Sequence, residues 1–235
     1  MRRLLECLRI DAVSESRQER VESLSEGKAA TIIQAATASH RILDIGCGAN
    51  KVAGAVGMDV NPRTAADVIH NLDDLPYPFT DDAFDEVIGR HVIEHVQNPM
   101  AVMCELHRIT RAGGVVKLLA PHWTNPDFAT DLTHRNHLNS YSFRNFLADR
   151  AVFDFYTEAR FKQKVCRVTL LNLWKLTGLE YLINLDNRHP RWRFIRKFWE
   201  QYLNAVVRGK EIYFELEVVK QDTGYRIQDS GGKGG

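Results

Sequence analysis

Two stretches of this sequence combine residue types that do chemistry. The first is Ile42-Leu43-Asp44-Ile45-Gly46-Cys47-Gly48-Ala49-Asn50-Lys51, followed fifteen residues after Asp44 by Asp59. A strand that stops at glycines lets backbone amides approach a ligand closely, and an acid at the tip of the next strand can accept two hydrogen bonds from ribose hydroxyls. That combination describes a nucleoside site. It is not the GxGxxG pyrophosphate fingerprint, because only two glycines are present and an acid precedes them by two positions. The second stretch runs from Pro121 to His137 and holds His122, His134, His137, Asp127 and Asp131, close to His91 and His95 in an earlier segment. An unperturbed histidine, with a pKa of ~6.5, is largely neutral near pH 7 and can take a proton from a hydroxyl or an ammonium. His122 is the first candidate for such a base and His134 the second.

Five short runs rich in Val and Ile carry these residues: 41–45, 55–59, 67–70, 84–89 and 115–120. Runs of this length and type are what strands buried on both faces of a parallel sheet look like. Between the fourth and fifth, Val102, Met103, Leu106 and Ile109 fall at helical spacing over Pro99 to Ala112, with Gly113-Gly114 expected to stop the helix. Strand alternating with helix predicts an open, doubly wound α/β sheet. Residues 14–38 read as a helix, as do 142–149 with Ser140 or Ser142 as cap. Ile212, Phe214, Leu216 and Val218 alternate with polar residues, which predicts an antiparallel edge strand over 212–219. Residues 170–210, rich in Leu, Trp and Arg, fit neither pattern and read as an inserted cap. The division expected is an N-terminal helical segment over 1–39, a main domain over 40–225 and a flexible tail over 226–235.

Composition bounds the alternatives. The chain has 235 residues, 44% hydrophobic and 26% charged, which supports one domain with a sizeable core. Lys and Arg total 31 against 30 for Asp and Glu, so the net charge of +1 gives no global field to attract nucleic acid. Cys7, Cys47, Cys104 and Cys166 lack CxxC pairing and read as free thiols of a reducing compartment. Glu6, Arg9 and Asp11 interrupt the first apolar run, and no stretch approaches the ~18 uncharged residues of a membrane span, so a cytoplasmic location is expected.

At the glycine loop the chain resembles the class I S-adenosylmethionine-dependent methyltransferases, in their small-molecule, type 11-like branch. The resemblance extends through Asp59, then Asn71 to Asp85, then His91-Val92-Ile93-Glu94-His95-Val96, then Glu105 to Gly114, in the expected order and spacing over roughly residues 40–150. It implies a Rossmann-like, mostly parallel seven-stranded sheet with an inserted helical cap, and S-adenosylmethionine as cofactor. The implied cofactor residues are Asp44, Gly46, Cys47, Gly48, Asp59, Val60, Asn71, Leu72, Asp73, Arg90 and His91. Asp59 would hold the ribose, Asn71 with the Leu72 amide the adenine edge, and Asp73 is the alternative there. Arg90 and His91 would border the methyl group. The stretch between the glycines and Asp59 is short, so the usual first helix shrinks to a turn and Asn50 or Lys51 supplies contacts instead. Asp131-Leu132-Thr133-His134-Arg135 is similar to an element that shapes the substrate side in related bacterial enzymes.

The catalytic candidates are therefore His122, His134 and His91, and the substrate candidates Arg90, His95, Trp123, Asp131 and Arg135. Plainer readings stand beside them. Gly46 and Gly48 could form only a tight turn, Asp59 could cap the turn at Asn61-Pro62, Glu94 and His95 could be a solvated pair early on a helix, and His134 could pair with a buried carboxylate. His122, Asp131, His134 and His137 are metal-ligand types, but their spacing matches no tight pair and no metal is expected. In the cap, Trp192, Ile195, Trp199, Tyr202 and Leu203 form an apolar stripe read as core, with Arg193, Arg196, Lys197 and Glu200 directed elsewhere. Residues 188–199 could also touch a membrane or an anionic substrate. The expected activity is methyl transfer to an oxygen or nitrogen of a small molecule, such as a glycan or lipid-linked intermediate, with no nucleic acid involved. The rival is a catalytically silent binding subunit that acts through a protein partner.

Overall fold

The computed structural model describes residues 40–149, 151 and 153–220; the expected helix over 14–38 and the tail over 226–235 lie outside them. The strands are β1 (Ile42–Ile45), β2 (Val56–Asp59), β3 (Val68–Ile69), β4 (Phe84–Arg90), β5 (Thr110–Pro121), β6 (Arg160–Leu170) and β7 (Gly209–Val219). They form one seven-stranded sheet in the order β3-β2-β1-β4-β5-β7-β6. The first five strands pair in parallel, and β7 runs antiparallel to both β5 and β6. The chain moves outward in one direction from β1 to β3 and in the other from β4 onward. The carboxyl ends of β1 and β4 are thus a topological switch point, where open α/β sheets collect ligands.

Apolar burial sets this arrangement. Leu43, Ile45, Met58, Val87, Val116 and Leu118 are inaccessible or nearly so, as the double-sided burial of central parallel strands requires. Helix α1 (Pro99–Ile109) starts where the Asn98 side chain accepts a bond from the Ala101 amide at 3.1 Å, with proline in its first turn. It lays Val102, Met103, Leu106 and Ile109 on the sheet. The helix does not reach Gly113-Gly114. Thr110 is already extended and pairs with Phe84, and the glycines lie within β5 in a bulge where the register slips. Gly113 has a φ of +72°, and a Cβ on Gly114 would stand 2.8 Å from the Asp85 carbonyl. The glycines were needed for close strand approach and not for a helix stop.

Two other expectations change. β7 is an interior strand, because β6 takes the edge beyond it. Its alternation reflects two unequal faces and says nothing of edge position. Over 142–149 only the turn Arg144–Phe146 is helical, and Ser142 accepts the Asn139 amide at 2.8 Å instead of capping a helix.

The cap between β6 and β7 comprises α2 (Asn172–Lys175), α3 (Leu179–Ile183), short 3-10 turns over Leu185–Asn187 and Pro190–Trp192, α4 (Arg193–Phe198) and a π-helical turn over Trp199–Leu203. Its inward face is not the expected stripe. Trp199, Arg196 and Glu200 are buried, while Phe194, Phe198 and Tyr202 are exposed. The wide turn, closed by the Asn204 amide on the Trp199 carbonyl at 2.9 Å, resets the helical phase so that Tyr202 no longer follows Trp199 inward. Arg196 can be buried because its guanidinium is satisfied. It grips Asp186 through two bonds of 2.8 and 2.6 Å and reaches the Cys166 carbonyl at 2.7 Å. Cys47, Cys104 and Cys166 are free thiols.

Candidate active site

A cleft of about 270 Å3 opens at the carboxyl ends of β1, β2 and β4. Gly46, Asp59, Val60, Asn71, Leu72 and Asp73 line one half, and His91 and His95 the other. His70, Val92 and Val96 complete it. These three were missed by sequence reasoning, although His70 closes the third apolar run and Val92 and Val96 flank the histidines of the fourth.

Left-handed backbone builds the floor. Gly46 and Gly48 have φ of +58° and +56°, where a side chain would be strained. A Cβ on Gly46 would also lie 2.5 Å from Val92 Cγ2. Val92 is brought there by His91, itself at φ +52°, whose amide donates to the Leu119 carbonyl at 2.8 Å. A non-glycine residue held in this region at a strand end is a local cost of the kind that clusters at functional sites.

The acids are tied to the loop. Asp59 accepts the Gly48 amide at 2.9 Å and the Asn61 amide at 2.8 Å, so it both shapes the glycine loop and caps the following turn. Asp44 is buried; its Oδ2 accepts the Val52 amide at 2.8 Å and Arg90 Nη2 at 3.0 Å, and its Oδ1 has no hydrogen-bond partner among the described residues. Arg90 also donates to the Asn50 carbonyl at 2.7 Å. It therefore braces the loop at Asp44 and does not line the cleft beside the methyl position expected for it. Asp73 accepts the Gln97 amide at 2.8 Å, which joins the loop after β3 to the segment after β4. The Cys47 thiol is pushed up by burial and by the neighbouring Asp44 and Asp59, so it packs as a neutral group.

The histidines separate into two groups. His122 is fully buried beneath the cap. Its Nδ1 accepts the Thr124 amide at 3.2 Å and meets the Thr124 hydroxyl at 2.7 Å, and its Nε2 faces Glu200 at 3.4 Å. A Cβ on Gly209 would stand 2.6 Å from its ring. With both nitrogens engaged and no exposure, His122 is a packing residue of the cap and not a base open to solvent. Burial alone would raise the Glu200 carboxyl, but the bonds from His122 and from the Ser140 amide hold it below the ordinary carboxylate range. Sequence alone could not see this pairing, because 78 residues separate the partners.

The second group gathers at the cleft. His95 and His134 have ring centroids 4.7 Å apart, and His91 Nδ1 lies 3.5 Å from Glu94 Oε1. Glu94, at ion-pair distance, outweighs burial and pushes the His91 imidazole up. Glu94 is fully buried on a turn between β4 and α1, so it is no solvated helix residue. Trp123, Asp131 and Arg135 are exposed on the loop beyond β5. Thr133, through its hydroxyl and amide, holds the Asp131 carboxyl low. The Arg135 amide fastens that loop to the Glu94 carbonyl at 2.8 Å.

Residues 43–118 match the family model for a methyltransferase domain. Over that stretch the chain is similar to methyltransferase domains. S-adenosylmethionine is the cofactor that the resemblance of the glycine loop implies. Two Mycobacterium leprae proteins named as uncharacterized methyltransferases, from strains Br4923 and TN, are each 29% identical over 103 residues, covering 36% of this chain. The matched part spans 38% of those relatives' length. Among solved structures, a methyltransferase from Archaeoglobus fulgidus is 18% identical with a TM-score of 0.48, covering 83% of this chain and 94% of its own. One from Mesorhizobium loti is 12% identical with a TM-score of 0.48, covering 77% and 92%.

The residues present fit the cofactor on two observations. The Gly46 floor is a cradle that a Cβ would fill, and Asp44 Oδ1 is a buried acceptor left over at the loop. No helix follows the glycines, as the short spacing implied, so no helix terminus faces the loop.

Proposed function

We propose that this domain transfers the methyl group of S-adenosylmethionine to an oxygen or nitrogen of a small-molecule acceptor. The observation that carries the reading is the division of the cleft, with an adenosine-type half of glycines and acids and a histidine half facing the loop beyond β5. Asp59 would accept the ribose hydroxyls, Asn71 and Asp73 would face the adenine edge, and Asp44 would accept the ammonium of the methionyl end. The cofactor supplies an electrophilic methyl on sulfur. Transfer from it is an in-line displacement, so the chain's main task is alignment of the acceptor. His91, which lines the cleft, would take the acceptor's proton as the new bond forms. His134 lies behind His95 and orients that wall. His122 has no such part.

The outward row Phe194, Phe198 and Tyr202, beside the exposed Arg193 and Lys197, supports an amphipathic acceptor of the lipid-linked kind. No helix among the described residues is long and apolar enough to cross a membrane. Calorimetric titration with S-adenosylmethionine tests the cofactor half. Incubation with a labelled methyl donor and candidate lipid-linked or free acceptors tests the rest, and label transfer that survives His91→Ala undiminished would remove His91 from the reaction.

A further inference from the structure

Glu94 is unusual among the buried acids. Its carboxylate is fully inaccessible, and among the described residues neither oxygen has a hydrogen-bond partner. A charge left so is costly, and a native protein pairs it or gives it to a metal. His91 lies within ion-pair reach on one side, but outside hydrogen-bond alignment. On the other side stand His95 and His134, and one donor atom from each of Glu94, His95 and His134 lies within 4.8 Å of the others.

The two imidazoles have a fixed tautomer. His134 Nδ1 is 2.8 Å from the Phe128 carbonyl, which only accepts, so Nδ1 carries the proton. The Thr133 hydroxyl donates to Asp131 Oδ1 at 2.6 Å, so at 2.9 Å from His95 Nδ1 its oxygen accepts from that ring. In both rings the Nε2 lone pair is what remains. Donation of the other ring nitrogen to a carbonyl or to a carboxylate-linked partner is the outer arrangement that metal-binding histidines have.

We infer that Glu94, His95 and His134 bind a first-row divalent metal ion at the acceptor end of the cleft. Two imidazole nitrogens and one carboxylate are the donor set of open zinc-type sites, which keep a further position for a water or a substrate oxygen. Donor atoms around a tetrahedral ion at ~2.1 Å are about 3.4 Å apart, so small side-chain rotations would close the set. His95 also lines the cleft, so an ion here would border the acceptor. Its role there, as a Lewis acid holding an acceptor oxygen, rests on the methyl-transfer reading. Its existence does not. The three ligands come from the turn after β4 and the loop after β5, which the Arg135 amide already joins, and no local spacing in the sequence brings them together.

The test is titration of the chelator-stripped full chain with Co2+, read by the visible absorption of nitrogen- and oxygen-ligated cobalt. S-adenosylhomocysteine calorimetry on the same samples reports separately on the cofactor site. The expected result is saturation near one equivalent, with affinity reduced about 100-fold or more in Glu94→Gln and in His134→Ala. Thr133→Val should lose roughly 10- to 100-fold through the outer bond alone. If Glu94→Gln does not fold, His134→Ala decides. Absence of saturable binding in the wild type, or affinity unchanged in His134→Ala, overturns the site and leaves Glu94 as the counter-charge of His91. Cobalt binding without nucleoside binding would uphold the site and refute the methyl-transfer reading.

Discussion

Replacing His122 by alanine should damage the fold and spare the cofactor site. The ring is fully buried against Trp199, at 5.1 Å between centroids, and Gly209 packs on its edge. Its removal opens a cavity and leaves the Glu200 carboxylate with the Ser140 amide at 2.8 Å and the Asn204 side chain at 3.4 Å. Truncating a buried aromatic-sized side chain, or one member of a buried pair, each costs about 3–5 kcal/mol. The two costs overlap here, so about 3–5 kcal/mol is expected in all. For a domain of this size that is a fall in Tm of roughly 6–20 °C. Glu200→Gln should cost less, since the amide keeps the Ser140 bond, and a double-mutant cycle should show coupling on the order of 0.5–3 kcal/mol. Acid adds an independent sign. Because the folded-state Glu200 carboxyl is held below its ordinary value of 4.5, its contribution is present above that pH and is lost as pH falls below it. Glu200→Gln should therefore flatten the acid limb of the stability profile. Thermal unfolding from pH 3 to 8 and calorimetric titration with S-adenosylhomocysteine are the assays. An unaltered Tm in His122→Ala, with methyl transfer abolished, would refute this assignment and return His122 to the chemistry.

Other expectations concern the loop and the cap. Gly46→Ala should lose more stability than Gly48→Ala: both incur the left-handed penalty of about 1–2 kcal/mol, but only the first drives a Cβ into Val92 at 2.5 Å. Equal Tm values for the pair would contradict the packing described. Arg196→Ala should cost about 3–5 kcal/mol, because Asp186 would lose both bonds from Arg196 in the cap interior, and chemical denaturation would show it. A midpoint within error of wild type would mean that the guanidinium is solvated.

The parallel half of the sheet was legible because it is written locally. Short β-branched runs, glycines after β1 and an acid after β2 each state their role within a few residues. The glycine-and-acid half of the candidate cleft is legible too, since its members sit at or just beyond strand ends. What failed was long-range. Arg196 and Glu200 look like surface charges until Asp186 and His122 are placed against them, and a single π-helical turn moves Tyr202 from the expected core stripe to the exterior. Gly113-Gly114 look like a helix stop, yet the constraint they meet is the approach of the Asp85 carbonyl from β4. The role of Glu94 could not be read from its neighbours, because one of its histidines, His134, comes from the loop after β5.

We propose that the cleft at the ends of β1, β2 and β4 holds S-adenosylmethionine through Asp59. Isothermal titration of wild type and Asp59→Ala with S-adenosylmethionine and S-adenosylhomocysteine tests it most directly. The expected result is saturable one-site binding that weakens in the variant by about 1–3 kcal/mol, on the order of 5- to 150-fold, as ribose acceptors and the Gly48 amide anchor are lost together. Binding of equal strength to both proteins, or none to the wild type, would contradict it.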